Sequence, residues 1–217
     1  MSDVQPHVKT LPPAQRLFWP QLSSVGADFV LYGGTALSLQ VGGRISVDFD
    51  FFTNKPVDAE KLVTRFSFLR EARLQQRGEA TATFLIGRGN DAIAISFFGT
   101  LDFGRVSEPV RFTDNGVFAA SLLDLAAQKV KIVQQRAETK DYLDVHTLIR
   151  AGITLEMALG AARALYPQFN PVLSLKALSY FEDLPNLPSD VRRDLTNAAS
   201  SVDQIPSIPK QALSLLP

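Results

Sequence analysis

The chain has 217 residues, 46% of them hydrophobic, enough for one large domain or two small ones with a real core. Its 22 basic and 22 acidic residues cancel, so no overall field draws it onto nucleic acid, and contact with RNA would have to be local. The lack of cysteine excludes disulfides and thiolate metal sites, and with His7 and His146 as the only histidines a histidine-rich zinc centre is excluded too.

Any metal must therefore be held by oxygen. No apolar run approaches the roughly 18 residues of a membrane span, and the start MSDVQPHVKTLPPAQRLFW lacks a basic segment followed by a hydrophobic signal core. The expected location is cytoplasmic, with no membrane partner.

Along the chain, residues 12–25 read as a helix, 28–32 as a short buried strand, 35–41 as a helix and 46–52 as a strand. Residues 57–66 read as another helix, and 72–77, 81–86 and 92–98 as strands separated by glycine-bearing turns. From Ser121 the pattern becomes helical. Ser121 followed three residues later by Asp124 resembles a capping box that opens a helix to about residue 136. Further helices are expected at 140–150, 155–165, 171–181 and 190–200, with prolines punctuating the end. The change of pattern divides the chain into residues 1–118 and a helical part, 119–217.

The stretch GGTALSLQVGGRISVDFDFF, residues 33–52, carries the first chemical signal. Gly33-Gly34 follows a strand and opens a helix, a place where backbone N–H groups can meet a phosphate, aided by the helix dipole. Thr35 adds a hydroxyl. A tight turn with no ligand is the plainer explanation of such a pair. In the strand that follows, alternation puts Arg44, Ser46, Asp48 and Asp50 on one face and Ile45, Val47, Phe49 and Phe51 on the other. Two like charges side by side destabilise a strand unless solvated or bridged by a cation. Magnesium takes carboxylate oxygens together with substrate phosphates, so glycines for a triphosphate and Asp48 and Asp50 for its metal form a joint signal, with Arg44 and Ser46 beside them as candidate substrate contacts. The competing explanation is a solvated polar face on which Arg44 neutralises Asp48.

In the helix after Ser121, Leu122, Leu125, Ala126, Lys129 and Val133 fall in one arc at about 100° per residue, with Asp124, Gln128, Lys131 and Gln135 opposite. A lysine in an apolar arc needs a partner. In the next helix Asp141 shares a face with Val145 and Leu148, whereas Asp144 lies nearer the polar flank. A buried pair, Lys129 with Asp141 or Arg136 with Asp141, would fix the packing of two helices. Beside a metal–triphosphate site, Lys129 would instead neutralise phosphate charge.

A strand, a Gly-Gly pair, a short helix and Asp-x-Asp together resemble the polymerase-beta-like nucleotidyltransferase superfamily. GGTALSLQ followed by RISVDFDFF closely resembles the AbiEii/AbiGii toxin family within it, and SLLDLAAQKVKIVQQRAETKDYLDVHTLI resembles that family's second block, a lysine-bearing helix followed by Lys-Asp-x-x-Asp. The resemblance implies an α+β fold, a mixed sheet flanked by helices, with residues 1–118 as the nucleotidyltransferase core and 119–217 as a helical domain that completes the cleft. It implies that Gly33, Gly34 and Thr35 cradle the triphosphate, that Asp48 and Asp50 bind Mg²⁺, and that Lys129 and Asp141 complete the site. It further implies transfer of a nucleoside monophosphate from an NTP, the toxin role in a toxin–antitoxin or phage-defence system, a cognate antitoxin, and RNA such as a tRNA 3′ end as acceptor. Lys61, Arg65, Arg70, Arg73 and Arg77 are candidates for local RNA contact.

One departure stands out. Many polymerase-beta-like enzymes carry a third carboxylate on a later strand, and the strand at 92–98 offers only Ser96, leaving Asp91, Asp102, Asp141 or His146 as substitutes. A small-molecule nucleotidyltransferase of antibiotic-modifying type, or a degenerate domain that binds nucleotide or protein without turnover, are the alternative functions.

Overall fold

The computed structural model describes residues 2–216, which form two compact units. One contains the chain up to Gly104, Glu108–Ala120 and the end from Leu213; the other contains Arg105–Ser107 and Ser121–Ala212. Among the described residues there are eight strands and eight α-helices.

The first unit holds the strands β1 (Asp3–Val4), β2 (Val30–Tyr32), β3 (Asp48–Phe52), β4 (Arg73–Arg77), β5 (Thr81–Ile86), β6 (Ile93–Phe98), β7 (Val110–Phe112) and β8 (Phe118–Ala119). They make one mixed sheet in the order β1-β7-β8-β2-β3-β6-β5-β4. At its centre β2 runs antiparallel to β3, with Tyr32 opposite Asp50, and β3 runs parallel to β6, with Asp48 opposite Ala94 and Asp50 opposite Ser96. The same unit holds helices α1 (Pro13–Phe18), α2 (Gly33–Val41) and α3 (Ala59–Arg65). Alternation along β3 buries Phe49 and Phe51. Their face of the sheet meets an aromatic core in which Phe97 touches the rings of Phe29, Phe51, Phe66 and Phe84 at centroid distances of 5.0–6.3 Å. Trp19 stacks on Phe49 and donates its indole N–H to Asp114 at 2.8 Å.

Three expectations change here. The helix expected over 12–25 is α-helical only as α1; Trp19–Asp28 continues in 3₁₀ turns, broken at Gly26, whose φ is +64°. β3 starts at Asp48 rather than Ser46. Gly42 and Gly43, at φ +79° and +106°, turn the chain out of α2, and Ile45 and Val47 reach solvent at 65% and 49% exposure instead of lining the core. β1, β7 and β8, of two or three residues each, are strands that the sequence pattern did not predict.

The second unit holds α4 (Leu122–Ile132), α5 (Thr139–Arg150), α6 (Leu155–Leu165), α7 (Pro171–Ala177) and α8 (Ser189–Ser201). Ser121 caps α4 as expected, accepting from the Asp124 N–H at 3.1 Å. Asp124 is not on a solvated face, though. It is 1% exposed, accepts from the backbone N–H groups of Val106 and Ser107 and takes the Ser121 hydroxyl proton bond, so it anchors the excursion at Arg105–Ser107 onto α4. Burial pushes its carboxyl above the ordinary 3.8 despite those hydrogen bonds.

Candidate active site

β2 delivers the chain to Gly33 in the central part of the sheet, and α2 begins at once after Tyr32, without a side-chain cap. Because Tyr32 faces Asp50 across the β2–β3 ladder, the carboxylate of Asp50 falls beside the first glycine. A Cβ on Gly33 would sit 2.9 Å from Asp50 Oδ2, and φ at Gly33 is +75°. A Cβ on Gly34 would lie 2.3 Å from Arg44 Nη2 and 3.0 Å from Ser46 Oγ. Side chains thus crowd both glycines, Gly33 being further held to glycine by its positive φ, and three of the sequence-predicted residues, Asp50, Arg44 and Ser46, converge on them.

The Thr35 hydroxyl is engaged within the fold. It is 1% exposed and donates to the Asp48 main-chain oxygen at 2.5 Å, tying the first turn of α2 to the start of β3. Asp48 is exposed and Asp50 half-buried on the same strand face. Among the described residues no cluster of three or more acidic or histidine side chains could hold a metal. Asp48 and Asp50 nevertheless suit Mg²⁺, which is often held by one or two carboxylates, with substrate phosphates and water filling the remaining positions. Opposite Asp50 stands Ser96, whose hydroxyl lies 3.1 Å from that of Thr83, so β6 supplies no third acid.

Lys129 and Asp141 lie in the second unit, and the structure brings them together. Lys129 Nζ is 2.8 Å from Asp141 Oδ1 and 2.7 Å from Asp144 Oδ2, with the lysine side chain 5% exposed and the two carboxylates at 0% and 2%. Arg136 Nε donates to the second Asp141 oxygen at 2.8 Å. Both pairings considered from sequence therefore occur at once. Asp144 is a full member of the cluster rather than a flank residue; its position three after Asp141 on one helix was the available signal. Burial by itself would raise Asp141, but the Arg136 hydrogen bond and the Lys129 charge outweigh it and hold this carboxyl below the ordinary 3.8. His146 pairs with Asp194 at 3.1 Å, a link between α5 and α8.

Residues 21–211 match the family described as the nucleotidyl transferase AbiEii toxin of type IV toxin–antitoxin systems. An uncharacterized protein of Aquifex aeolicus, aq_aa25, is 33% identical over 181 residues, covering 81% of this chain and 85% of that protein. Among solved structures, a candidate nucleotidyltransferase from H. pylori shares the fold with a TM-score of 0.58 at 16% identity, over 86% of this chain and 92% of that one. The nucleotidyltransferase toxin MenT4 of Mycobacterium tuberculosis does so with a TM-score of 0.55 at 15% identity, over 85% and 80% of the two chains. The match across nearly the whole chain and the strand–Gly-Gly–Asp-x-Asp site lead to one conclusion: this chain belongs to the AbiEii nucleotidyltransferase toxin family.

Proposed function

We propose that the protein moves a nucleoside monophosphate from an NTP to an acceptor hydroxyl with release of pyrophosphate, as the toxin of a toxin–antitoxin pair. The observation that carries this reading is the convergence of Asp50, Arg44 and Ser46 on the Gly33–Gly34 turn at the start of α2. The amides of that turn bind the phosphates, aided by the helix dipole. Arg44 adds a guanidinium and Ser46 a hydroxyl against the same turn, while Thr35 keeps the turn in register with the carboxylates. Asp48 and Asp50 would hold Mg²⁺, which supplies charge neutralisation to the triphosphate and the leaving pyrophosphate.

Lys129 and Asp141 are assigned to the active centre as residues of the helical part, 119–217, the core being 1–118. Their burial as a neutralised cluster favours a second role, fixing α4 to α5. RNA, including a tRNA 3′ end, is the proposed acceptor, a cognate antitoxin the proposed partner, and the cytoplasm, where NTP and RNA meet, the proposed site of action. The chain's zero net charge gives the small-molecule acceptor its specific support. Incubation with each α-labelled NTP and Mg²⁺, with and without total RNA, tests the reading: label should enter RNA. Label in a small product would favour the alternative acceptor, and nucleotide binding without any transfer would favour a degenerate domain.

A further inference from the structure

The ladder registers extend the carboxylate face beyond the site itself. Asp48 is paired with Ala94 on β6, Ala94 with Leu85 on β5, and Leu85 with Arg73 on β4. Directly paired residues share a face, so Arg73 stands on the same side of the sheet as the carboxylates and at the same end of the strands. Three inter-strand steps put it about 14 Å from Asp48. The row alongside runs from Asp50 through Ser96 to Thr83. Between the carboxylates and Arg73 the floor is therefore paved with the small side chains of Ala94, Ser96 and Thr83, with Leu85 at its far end. There a groove of about 460 Å³ opens, lined by Arg73 and Arg88 together with Glu71, Leu85 and the glycines of the β5–β6 turn.

None of the other basic residues singled out in the sequence lines this groove. Arg70 and Arg77 line a separate groove with Leu74 and Phe84, on the opposite side of β4 and β5. Arg77 is paired with Asp58 and Glu60, and Arg65 with Asp28. Arg88, which the sequence reading passed over, takes their place.

We infer that the β6–β5–β4 floor is the acceptor track of this enzyme and that Arg73 and Arg88 form its phosphate-binding end, which makes the acceptor an extended nucleic-acid strand. The inference rests on the transfer chemistry proposed at Asp48 and Asp50. A hydroxyl at the carboxylates and a phosphate at the arginines, some 14 Å apart, can belong to one molecule only if it is long and carries anionic charge away from its reacting end. Guanidinium groups suit such phosphates, and Glu71 on the same rim limits the pull to a local one, in keeping with the zero net charge. The competing role for Arg73 is defensive, as a charge that keeps the edge of a sheet from pairing with another chain.

Binding and turnover separate these roles. Anisotropy of a fluorescent single-stranded RNA oligonucleotide is measured on the full chain between 50 and 200 mM salt, and KM for RNA in the transfer assay. The double variant Arg73→Glu/Arg88→Glu should weaken RNA binding about tenfold or more and lower the salt slope by about 1.4, two phosphates at ~0.7 each for single strands. It should raise KM for RNA while leaving kcat and the NTP-induced rise in melting temperature near wild type. Lys61→Glu/Arg70→Glu, outside this groove, should change little. Arg73→Gln/Arg88→Gln gives the same ordering with a smaller effect if the charge reversal disturbs folding. Equal weakening by the two Glu pairs, unchanged RNA binding in the Arg73/Arg88 pair, or binding of polyglutamate as tightly as RNA overturns the track. Failure of the transfer chemistry appears separately, as an absence of turnover in an enzyme that still binds RNA through Arg73 and Arg88.

Discussion

Gly33 and Gly34 do different work within one turn. At Gly33 a side chain is opposed twice, by a φ of +75° and by the Asp50 carboxylate 2.9 Å from where a Cβ would stand. Gly33→Ala should therefore lower stability by roughly 1–2 kcal/mol from the left-handed backbone alone and displace Asp50 as well. At Gly34 the obstacle is the far end of Arg44, which can swing away, so Gly34→Ala should fold nearly normally while binding NTP more weakly. Thermal melts and NTP titration of the two variants check the split. Gly33 and Gly34 were legible in the sequence as a glycine pair between a strand and a helix, and it was the Asp-x-Asp strand that followed which set them apart from an ordinary tight turn. Arg44 and Ser46 were named from their shared face with the aspartates, yet the structure brings them in by another route, a loop that curls back over Gly34 before β3 begins.

Among the elements, long periodic ones were legible, as was the short apolar β2, while the two- and three-residue strands β1, β7 and β8 were not. α6 spans the residues its pattern marked, and β5 does too. β8 has two residues, too few for any alternation to show, although it is hydrogen-bonded to the central strand β2. On α4 the apolar arc located Lys129 correctly, but Asp124 escaped because its partners, Val106 and Ser107, come from a distant segment that no local pattern reveals. The α4–α5 cluster yields a decisive mutant set. Lys129→Met removes the cation that bridges Asp141 and Asp144 while Arg136 stays on Asp141, and it should cost about 3–5 kcal/mol if the cluster is structural, with stability recovered when Asp141 and Asp144 are also made apolar. A triple variant that is stable and inactive would support a catalytic part for the cluster, and a stable, active one would remove it from the active centre. The cluster also has a pH signature. Asp141 is held below 3.8, so its contribution is present above that value and is lost as pH falls through the lowered one. Acid unfolding should be steeper in the wild type than in Asp141→Asn, as followed by circular dichroism.

For the molecule as a whole, the described residues contain no helix long and apolar enough to cross a membrane, and the sheet unit contains the entire proposed metal and triphosphate site. A site of this kind should stabilise the native state only when metal and nucleotide arrive together, by about 2.7 kcal/mol at a ligand concentration of 100 times Kd. Mg²⁺ alone should shift the melting temperature little. In the proposed function Asp48 and Asp50 hold the metal through which this AbiEii-family chain transfers nucleotide. Its most direct test compares label transfer from α-labelled NTP to RNA by the wild type with that by Asp48→Asn and Asp50→Asn at matched melting temperature. The wild type should transfer label and neither variant should, with both variants as stable as the parent or slightly more so. Near-normal transfer by either folded variant would contradict that function.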